Sequence, residues 1–345
     1  MKKVLVDLLK LSNLNCGLGQ VAVNYGKTLS KSVTNFEKHF LVPKEYISYF
    51  ENTGIFCHTK TSLKKYLKEN KFDLWHCIHQ EPDIMPKDST PVLMTIHDLN
   101  FLEEKTVTKS KKRLQKLQKK VDLCSHFVFI SEFSKKTALD NLNFNDKRTD
   151  IIYNGVTISE DITKPFDINS KFFFTIGVLK PKKNFKVLIP MMKLFPEHKL
   201  VISGDKKGSY YKELIKTAKK ENVLNKIIFT GVISDAEKNW YYQNCEAFLF
   251  PSLYEGFGLP VIESMRFGVP VIISTNSSLP EIGAEHAFYF KDFSPESMHK
   301  TILESLNSFK QNTDLKTSQI NYSNKFNWET NVGEYINLYN GILNQ

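Results

Sequence analysis

Glu255 and Glu263 are separated by seven residues in a segment that has the residue types of a ligand-binding loop. The segment reads FPSLYEGFGLPVIESM from Phe250 to Met265, and it passes two glycines before Pro260, a residue suited to the first position of a helix. A glycine loop that opens onto a helix N-terminus presents backbone N–H groups and a positive dipole end, which suit phosphates and sugar hydroxyls. Glu255 would lie in the loop and Glu263 about one turn into the helix, so the two carboxylates could bind different parts of one ligand.

Two other candidate segments follow apolar runs that read as strands. His97 comes directly after the run Val92–Ile96, and the basic turn Pro181–Asn184 comes shortly after Phe172–Ile176. The ends of parallel strands are where such sheets place ligands. No metal site is expected, because no H-x-x-x-H pair and no D-x-D pair occurs in the sequence.

The loop Gly17–Ala22 offers an alternative. It satisfies G-x-G-x-x-A, and Glu37 follows about 20 residues later, as in dinucleotide-binding domains. However, the polar residues Lys10–Cys16 separate the preceding apolar run from the first glycine, where a dinucleotide turn should be immediate. Glu37 also precedes its predicted strand, His39–Val42, instead of closing it. An NAD-dependent oxidoreductase that uses Gly17–Ala22 therefore stays open only as an alternative.

Short apolar runs alternate with longer amphipathic stretches, the pattern of βαβ units and parallel sheets. The first half predicts strands at Val4–Leu8, His39–Val42, Leu74–Cys77, Val92–Ile96, Phe127–Ile130 and Ile151–Tyr153. Its helices are predicted near Gln20–Ser30, Leu63–Glu69, Lys109–Ser125 and Ser134–Asn141. The second half predicts strands at Phe172–Ile176, Lys199–Ser203, Ile227–Thr230, Ala247–Phe250 and Val271–Ser274, and helices near Phe185–Phe195, Tyr210–Glu221 and Asp235–Cys245.

The polar segment Ile158–Ser170 lies between the two series and reads as a linker. With 345 residues, the chain exceeds the usual size of one core. We therefore predict two doubly wound α/β domains that face each other across a ligand-binding cleft, one over residues 1–160 and one over residues 171–325.

Composition narrows the classes of partner. The net charge of +10 suggests contact with nucleic acid, anionic lipid or phosphorylated ligands, but aromatic residues are not interleaved with the basic ones as in single-strand binders, so no nucleic acid is expected. The densest basic run, Lys109–Lys120, is either an amphipathic helix that docks on anionic lipid or a solvated helix face.

No apolar segment approaches the ~20 residues of a membrane span. The five cysteines are widely spaced and predict reduced thiols in a cytoplasmic protein: Cys16, Cys57, Cys77, Cys124 and Cys245.

In their order and spacing, these segments resemble the retaining GT-B glycosyltransferases of family 4. The Glu255–Glu263 segment resembles the E-x7-E motif of that family, and Gly177–Asn184 resembles its G-x-L-x-P-R-K-N segment. Further segments similar to those of the family are Thr95–Leu99, Ile130–Ser134, Tyr153–Val156, Thr230–Asp235, Pro280–Ala287 and Phe326–Glu329. The sequence departs from the family pattern at Val178, where arginine is common, and at Lys182, where lysine replaces arginine and gives a point charge instead of a fork.

The resemblance implies a role for each candidate residue. Glu263 would bind the ribose hydroxyls, and Glu255 would hold the donor sugar. Lys183 would stabilise the departing phosphate where a metal ion would otherwise be needed, and His97 would contact the sugar near its reacting carbon. The remaining donor-binding residues would be Gly17, Gly19, Lys182, Asn184, Val232, Gly256, Phe257, Gly258 and Leu259.

The resemblance also implies an activity. We expect metal-independent, retaining transfer of a hexose from a GDP-mannose or UDP-hexose type of donor to a glycan or lipid-linked acceptor, in the synthesis of cell-surface polysaccharide or lipopolysaccharide. No cofactor is expected. The protein would be cytoplasmic, in peripheral contact with the inner face of the membrane through Lys109–Lys120. The helix after Phe326 would cross back onto the N-terminal domain. A catalytically silent GT-B-like partner subunit remains an alternative.

Overall fold

The computed structural model describes residues 1–14, 17–50, 53–165 and 168–345. The chain divides into two compact units. The N-terminal unit consists of Met1–Gly155 together with Phe326–Gln345, and the C-terminal unit is Val156–Lys325. Cys16 and two residues of the predicted linker, Phe166 and Asp167, lie outside the described residues.

A parallel sheet forms the centre of the N-terminal unit. Its strands are β1 (Lys2–Asp7), β2 (Phe36–Leu41), β3 (Phe56–His58), β4 (Leu74–Cys77), β5 (Val92–Ile96), β6 (His126–Phe129) and β7 (Arg148–Ile151). They are arranged in the order β3-β2-β1-β4-β5-β6-β7. The predicted bounds of β4 and β5 are confirmed, whereas the short edge strand β3 was not predicted.

The helices of this unit cover both faces of its sheet. They are α1 (Gly17–Lys31), α2 (Lys60–Tyr66), α3 (Phe101–Glu104), α4 (Val107–Asp122), α5 (Glu132–Asn141) and, from the end of the chain, α13 (Trp328–Leu343). Alternate residues of β1 enter different cores: Val4 and Val6 pack with α1 and α13, while Leu5 packs on the opposite face with Leu117 of α4. This alternation is what a strand that is buried on both sides requires.

The C-terminal unit contains a second parallel sheet. Its strands are β8 (Lys171–Ile176), β9 (His198–Ser203), β10 (Ile227–Gly231), β11 (Ala247–Phe250), β12 (Val271–Ile273) and β13 (Phe288–Tyr289), in the order β10-β9-β8-β11-β12-β13. Its helices are α6 (Leu188–Met191), α7 (Ser209–Lys220), α8 (Asp235–Asn244), α9 (Leu259–Arg266), α10 (Leu279–Gly283), α11 (Pro295–Gln311) and α12 (Thr313–Ser323). Both units are therefore doubly wound α/β structures, which confirms the predicted fold class.

The strand order reverses direction once in each sheet, between β1 and β4 and between β8 and β11. Open α/β sheets bind ligands outside the carboxyl ends of the strands at such a reversal. In the C-terminal unit, the loops that leave Ile176 and Phe250 start from these two neighbouring strands. The candidate residues of both motifs are thus brought to one edge of one sheet.

The residues predicted as a linker are partly fixed to the C-terminal unit. Asn239 of α8 donates hydrogen bonds from its amide to the carbonyls of Ser159 and Asp161, at 2.7 and 3.1 Å. The backbone N–H of Thr163 donates to the carbonyl of Ala236 at 3.1 Å. The start of the predicted linker therefore packs as part of this unit. Among the described residues, no helix combines the length and the apolar composition that spanning a membrane requires.

Candidate active site

Lys183 and Glu255 form a nearly buried ion pair at the strand-order reversal of the C-terminal sheet. The Lys183 Nζ lies 2.5 Å from Glu255 Oε1, and the two side chains are only 10% and 13% exposed. The ammonium group also lies 4.9 Å from the centre of the Phe250 ring, within the range of a cation–π contact. The turn Pro181–Lys183 that carries the lysine is closed by Asn184, whose φ of 54° places it in the left-handed region that asparagine tolerates.

Serine side chains hold the Glu255 loop in place. The Ser252 hydroxyl donates to Glu255 Oε1 at 2.6 Å, and the Glu255 backbone N–H donates to Ser277 Oγ at 2.9 Å. The Ser278 hydroxyl lies 3.0 Å from the carbonyl of Glu255 and 2.8 Å from that of Phe257. Because the loop is fixed from several sides, Glu255 is positioned before any ligand arrives.

The two motif loops are also joined to each other through the backbone. The N–H of Leu253 donates to the carbonyl of Lys182 at 2.7 Å. Lys182 thus has an identified role through its main chain, whereas the predicted contact of its side chain with the donor stays a prediction. Val232, predicted to bind the donor, follows β10 and is 68% exposed.

Helix α9 begins directly after the glycine loop. Gly258 has a φ of 112°, which an L side chain rarely adopts, and a Cβ there would lie 2.9 Å from Leu279 Cδ2. The helix starts at Leu259, so Pro260 is its second residue, not the first as predicted. The backbone of Gly256–Leu259 therefore leads into the positive end of α9, as a phosphate-binding loop requires.

Glu263 lies about one turn into α9, where two residues of α8 bind its carboxylate. The Lys238 Nζ lies 2.9 Å from Oε1, and the Tyr242 hydroxyl donates to Oε2 at 2.9 Å. Lys238 also pairs with Asp235 at 3.0 Å. Burial disfavours the cation, but the Glu263 and Asp235 carboxylates outweigh burial and raise the pKa of Lys238. These partners were not predicted, although Lys238 and Tyr242 are four residues apart on a predicted helix and must therefore share a face.

His97 lies in the N-terminal unit, directly after β5. Its Nε2 donates to the carbonyl of Ile78 at 2.8 Å, and its backbone N–H donates to Gln80 Oε1 at 3.2 Å. Burial lowers the pKa of His97 to about 4, and the hydrogen bond to Ile78 opposes burial only in part. His97 is thus a neutral imidazole at pH 7 in which Nδ1 is the unprotonated nitrogen.

A buried polar network links α13 to strands β4 and β5 beside His97. His76 Nδ1 lies 2.5 Å from the Tyr339 hydroxyl, and His76 Nε2 lies 2.9 Å from Thr95 Oγ1. Thr95 Oγ1 is in turn 2.8 Å from the Tyr335 hydroxyl. His76, Thr95, His97 and Tyr335 all line a small cavity. Sequence alone could not pair these residues, because the tyrosines lie at the other end of the chain.

The first glycine segment forms the opening turn of α1 and not a dinucleotide loop. Gly17 is the first residue of the helix, and Gly19 is buried where a Cβ would lie 1.9 Å from the carbonyl oxygen of Asn13. Glu37 was predicted to precede its strand, but it is the second residue of β2. It therefore lies near the amino end of that strand, whereas a ribose-binding acid must lie near the carboxyl end. The geometry does not support NAD binding here.

Helix α4 carries most of the basic run, and it starts two residues and ends three residues before the predicted bounds. Two of its basic side chains have partners within the unit: Arg113 binds both carboxylate oxygens of Glu81 at 2.7 and 2.8 Å, and Lys120 donates to the carbonyl of Pro82 at 2.8 Å. The lysines of this helix that are exposed are Lys109, Lys111, Lys112, Lys116 and Lys119.

Comparison with protein families identifies the chain. Residues 159–322 match the family described as Glycosyl transferases group 1, and residues 23–160 match Glycosyltransferase Family 4. The chain belongs to the GT-B glycosyltransferases of family 4. The resemblance found in the motifs is thereby confirmed over residues 23–322.

Curated relatives of this glycosyltransferase include two mannosyltransferases. It is 24% identical over 324 residues to the O-antigen chain mannosyltransferase RfbU of Salmonella typhimurium, a match that covers 87% of this chain and 90% of the relative. It is 28% identical over 191 residues to the serotype-specific mannosyltransferase WbdA of Escherichia coli, covering 53% of this chain and 23% of the relative. The glycosyltransferase thus matches only about a quarter of the length of WbdA.

Solved structures share the fold. Sucrose-phosphate synthase from Thermosynechococcus elongatus superimposes with a TM-score of 0.77 at 15% identity and covers 99% of each chain. Anabaena Alr3699/HepE, in complex with UDP and glucose, superimposes with a TM-score of 0.75 at 16% identity and covers 99% of this chain and 100% of that one. At sequence identities this low, the structural similarity establishes only the fold of the glycosyltransferase.

Proposed function

We propose that this glycosyltransferase transfers a hexose from a nucleoside diphosphate sugar, of the GDP-mannose or UDP-hexose type, with retention of the anomeric configuration. The observation that carries the proposal is the Lys183–Glu255 pair beside the N-terminus of α9, at the strand-order reversal of the C-terminal sheet. A fixed cation, a carboxylate and a row of backbone N–H groups at this edge suit a diphosphate joined to a sugar. A solved structure of the same fold holds UDP and glucose, which supports the same ligand class here.

The proposed reaction needs no nucleophile from the protein. The bond between the sugar C1 and the phosphate oxygen breaks, and its electron pair stays on the phosphate. The acceptor hydroxyl attacks C1 from the face that the phosphate leaves, and its proton passes to the departing phosphate oxygen. Lys183 and the Gly256–Leu259 N–H groups stabilise the charge that develops on the phosphate, and donors that are already in place do so without reorganising during the reaction. We assign this charge stabilisation to Lys183 in place of a metal ion.

Each remaining candidate residue is given a binding role in this proposal. Glu255 accepts hydrogen bonds from the donor sugar hydroxyls, and Glu263 accepts them from the ribose. Asn184, Lys182 and Val232 line the donor site by their resemblance to the family, and His97, a neutral imidazole, contacts the sugar. No cofactor takes part.

The proposed acceptor is a glycan or a lipid-linked glycan of the cell surface. Both curated relatives named above are mannosyltransferases, and one of them is named for the O-antigen chain. These names support mannose as the transferred sugar and lipopolysaccharide or a similar polysaccharide as the product. We propose in turn a cytoplasmic enzyme that meets its acceptor at the inner face of the cell membrane.

Helix α4 is the proposed contact with that membrane. It carries five exposed lysines between Lys109 and Lys119, and an exposed Val107 and Leu123 lie at its two ends. Basic helices of this kind bind anionic head groups. Replacing Lys109, Lys112, Lys116 and Lys119 by glutamine should abolish cosedimentation with anionic vesicles. The matched control replaces four exposed lysines of α7, Lys212, Lys216, Lys219 and Lys220; equal losses in both variants would contradict a role for α4.

A panel of sugar nucleotides tests the proposed function. UDP-, GDP- and ADP-sugars are compared for the rise in melting temperature that they cause, because a ligand that binds only the native state stabilises it. Slow hydrolysis of the stabilising sugar nucleotide, measured as released nucleotide, should follow. Stabilisation without any turnover, either to water or to a glycan acceptor, would favour the silent partner subunit. Stabilisation by NADH alone would overturn the proposal.

A further inference from the structure

Glu263 differs from an ordinary helix-surface glutamate because both of its carboxylate oxygens are engaged. Oε1 lies 2.9 Å from the Lys238 Nζ, and Oε2 accepts a hydrogen bond of 2.9 Å from the Tyr242 hydroxyl. The Lys238 and Glu263 side chains are 16% and 15% exposed, whereas those of the surface pair Lys186–Glu213 are 49% and 45% exposed. The carboxylate is thus held by two side chains of one neighbouring helix.

The tyrosine that holds Oε2 has little freedom to move. Tyr242 is fully buried, and its ring lies edge-on to Phe174 and Phe248, with centroids 5.3 Å away in both cases, and is stacked on Phe267 at 5.7 Å. Because the ring is fixed, its hydroxyl is fixed as well. Tyr242 therefore sets the rotation of the Glu263 carboxylate about its last bond.

This arrangement is a weak source of stability. Removing an ion pair from water costs about as much as the pair returns, and an apolar pair of similar volume is often as stable. Both charges are nevertheless placed here, with Asp235 as a second partner of Lys238 at 3.0 Å. Charged groups at this position therefore call for a role other than stability.

Each carboxylate oxygen can accept two hydrogen bonds. Lys238 and Tyr242 use one position on each oxygen, so one further acceptor position is left on each of the two. Two adjacent hydroxyl donors, such as the 2′- and 3′-hydroxyls of a ribose, fit this pattern. A single hydroxyl offers only one donor, and the diphosphate of a sugar nucleotide offers none, because its oxygens carry no protons at neutral pH.

We propose that Lys238 and Tyr242 are positioning residues that fix the Glu263 carboxylate so that it accepts one hydrogen bond from each hydroxyl of a ribose diol. This inference rests on the proposed function, since it requires that the C-terminal unit binds a nucleoside diphosphate. It adds that the site selects ribonucleotides over 2′-deoxyribonucleotides. The two α8 side chains determine this selection through Glu263, without contacting the ligand themselves.

The test compares UDP and GDP with their 2′-deoxy forms by calorimetry on the full chain. The wild-type protein should bind the ribonucleotide that it prefers roughly tenfold or more tightly than its 2′-deoxy form, the effect of one hydrogen bond to a charged acceptor. In Lys238→Met and in Tyr242→Phe this ratio should fall toward one. Lys238→Arg keeps the positive charge and should therefore retain part of the wild-type ratio. Lys193→Met removes the lysine of a surface pair with Glu221, and it should leave the ratio unchanged.

A double-mutant cycle separates orientation from general damage to the fold. In Glu263→Ala the ratio should already be near one, and adding Lys238→Met should change it no further. If Lys238→Met and Tyr242→Phe bind UDP or GDP and keep the wild-type preference over the 2′-deoxy form, the inference is wrong. The proposed function would still stand in that case. Binding of neither nucleotide to the wild-type protein would overturn both.

Discussion

The Ser252 hydroxyl and the Lys183 ammonium group both donate to the same oxygen of Glu255, at 2.6 and 2.5 Å. One carboxylate oxygen is thus occupied by two donors, and among the residues that the structure describes none binds Oε2. The Glu255 carboxylate is therefore oriented so that Oε1 binds groups of the protein, while Oε2 can accept a hydrogen bond from a ligand. Sequence order alone does not show this division, because the lysine is 72 residues away from the glutamate.

Replacing Lys183 by methionine should lower kcat by roughly 100- to 1,000-fold, the usual effect of removing one group that stabilises transition-state charge. Glu255→Gln should lower turnover as well, because it removes the carboxylate that pairs with Lys183 and holds the donor sugar. Methionine keeps the length of the side chain and removes the ammonium group. Turnover of the preferred sugar nucleotide is the measurement, and Lys186→Met, which breaks only the surface pair with Glu213, is the control. Near-normal turnover in either variant would rule out the assigned roles.

Chelation should leave the activity unchanged. We assign the charge of the departing phosphate to Lys183 and to backbone N–H groups, so removing divalent ions withdraws nothing that the proposed reaction uses. Initial rates after dialysis against EDTA should equal those with added Mg²⁺ or Mn²⁺. A rate that falls on dialysis and returns with one of these ions would contradict the assignment to Lys183.

Acid should destabilise the N-terminal unit. Burial lowers the pKa of His76 to about 3 and that of His97 to about 4, both below the ordinary 6.5. Between pH 6.5 and 4 the unfolded chain therefore binds protons that the folded unit does not, so stability falls as the pH falls through this window. At pH 5 each of these two imidazoles should lower the free energy of unfolding by about 2 kcal/mol relative to pH 8. Denaturant unfolding should show this loss, and equal stability at pH 7 and pH 5 would contradict it.

Asp7, the last residue of β1, should act in the opposite direction. Its side chain is fully buried, and no described residue bonds to Oδ2, although the Leu9 N–H donates to Oδ1 at 2.9 Å. Burial raises the pKa of Asp7 to about 6 from the ordinary 3.8. The folded unit therefore binds this proton more tightly than the unfolded chain does. Stability is consequently lost as the pH rises from 3.8 to about 6.

Asp7→Asn should consequently stabilise the protein at pH 8, by up to about 3 kcal/mol, the equivalent of the pKa difference. The gain should shrink as the pH falls through 6 and 3.8 and vanish near pH 3, where the aspartate is largely protonated in both states. Unfolding of the two proteins over this pH range measures the difference. A gain that is the same at pH 4 and pH 8 would show that charge is not its cause.

The parts of this structure that the sequence predicts are those with a local cause. Alternation of apolar runs with amphipathic stretches is enough to predict parallel sheets, and β4, β5 and β11 have their predicted bounds. Position at a strand end is enough to select the segments that hold His97, Lys183 and Glu255. The short strands β3 and β13 were missed because two or three residues carry no periodicity.

Other parts depend on contacts that no local pattern encodes. The partners of Glu263 come from α8, and their contact depends on how α8 and α9 pack beside the sheet. The partners of His76 come from α13, which follows the entire C-terminal unit in sequence. Pairs of this kind require the fold before they can be identified.

The discontinuous N-terminal unit also has a consequence for synthesis. Helix α13 supplies Tyr335 and Tyr339 to a core that the first 155 residues otherwise build. During translation, the C-terminal unit emerges completely before this helix does. The apolar face of the first unit therefore stays uncovered while the second unit is made, until α13 emerges and packs on it. The nascent chain is thus exposed to aggregation throughout the synthesis of the C-terminal unit, the interval in which a chaperone would protect it.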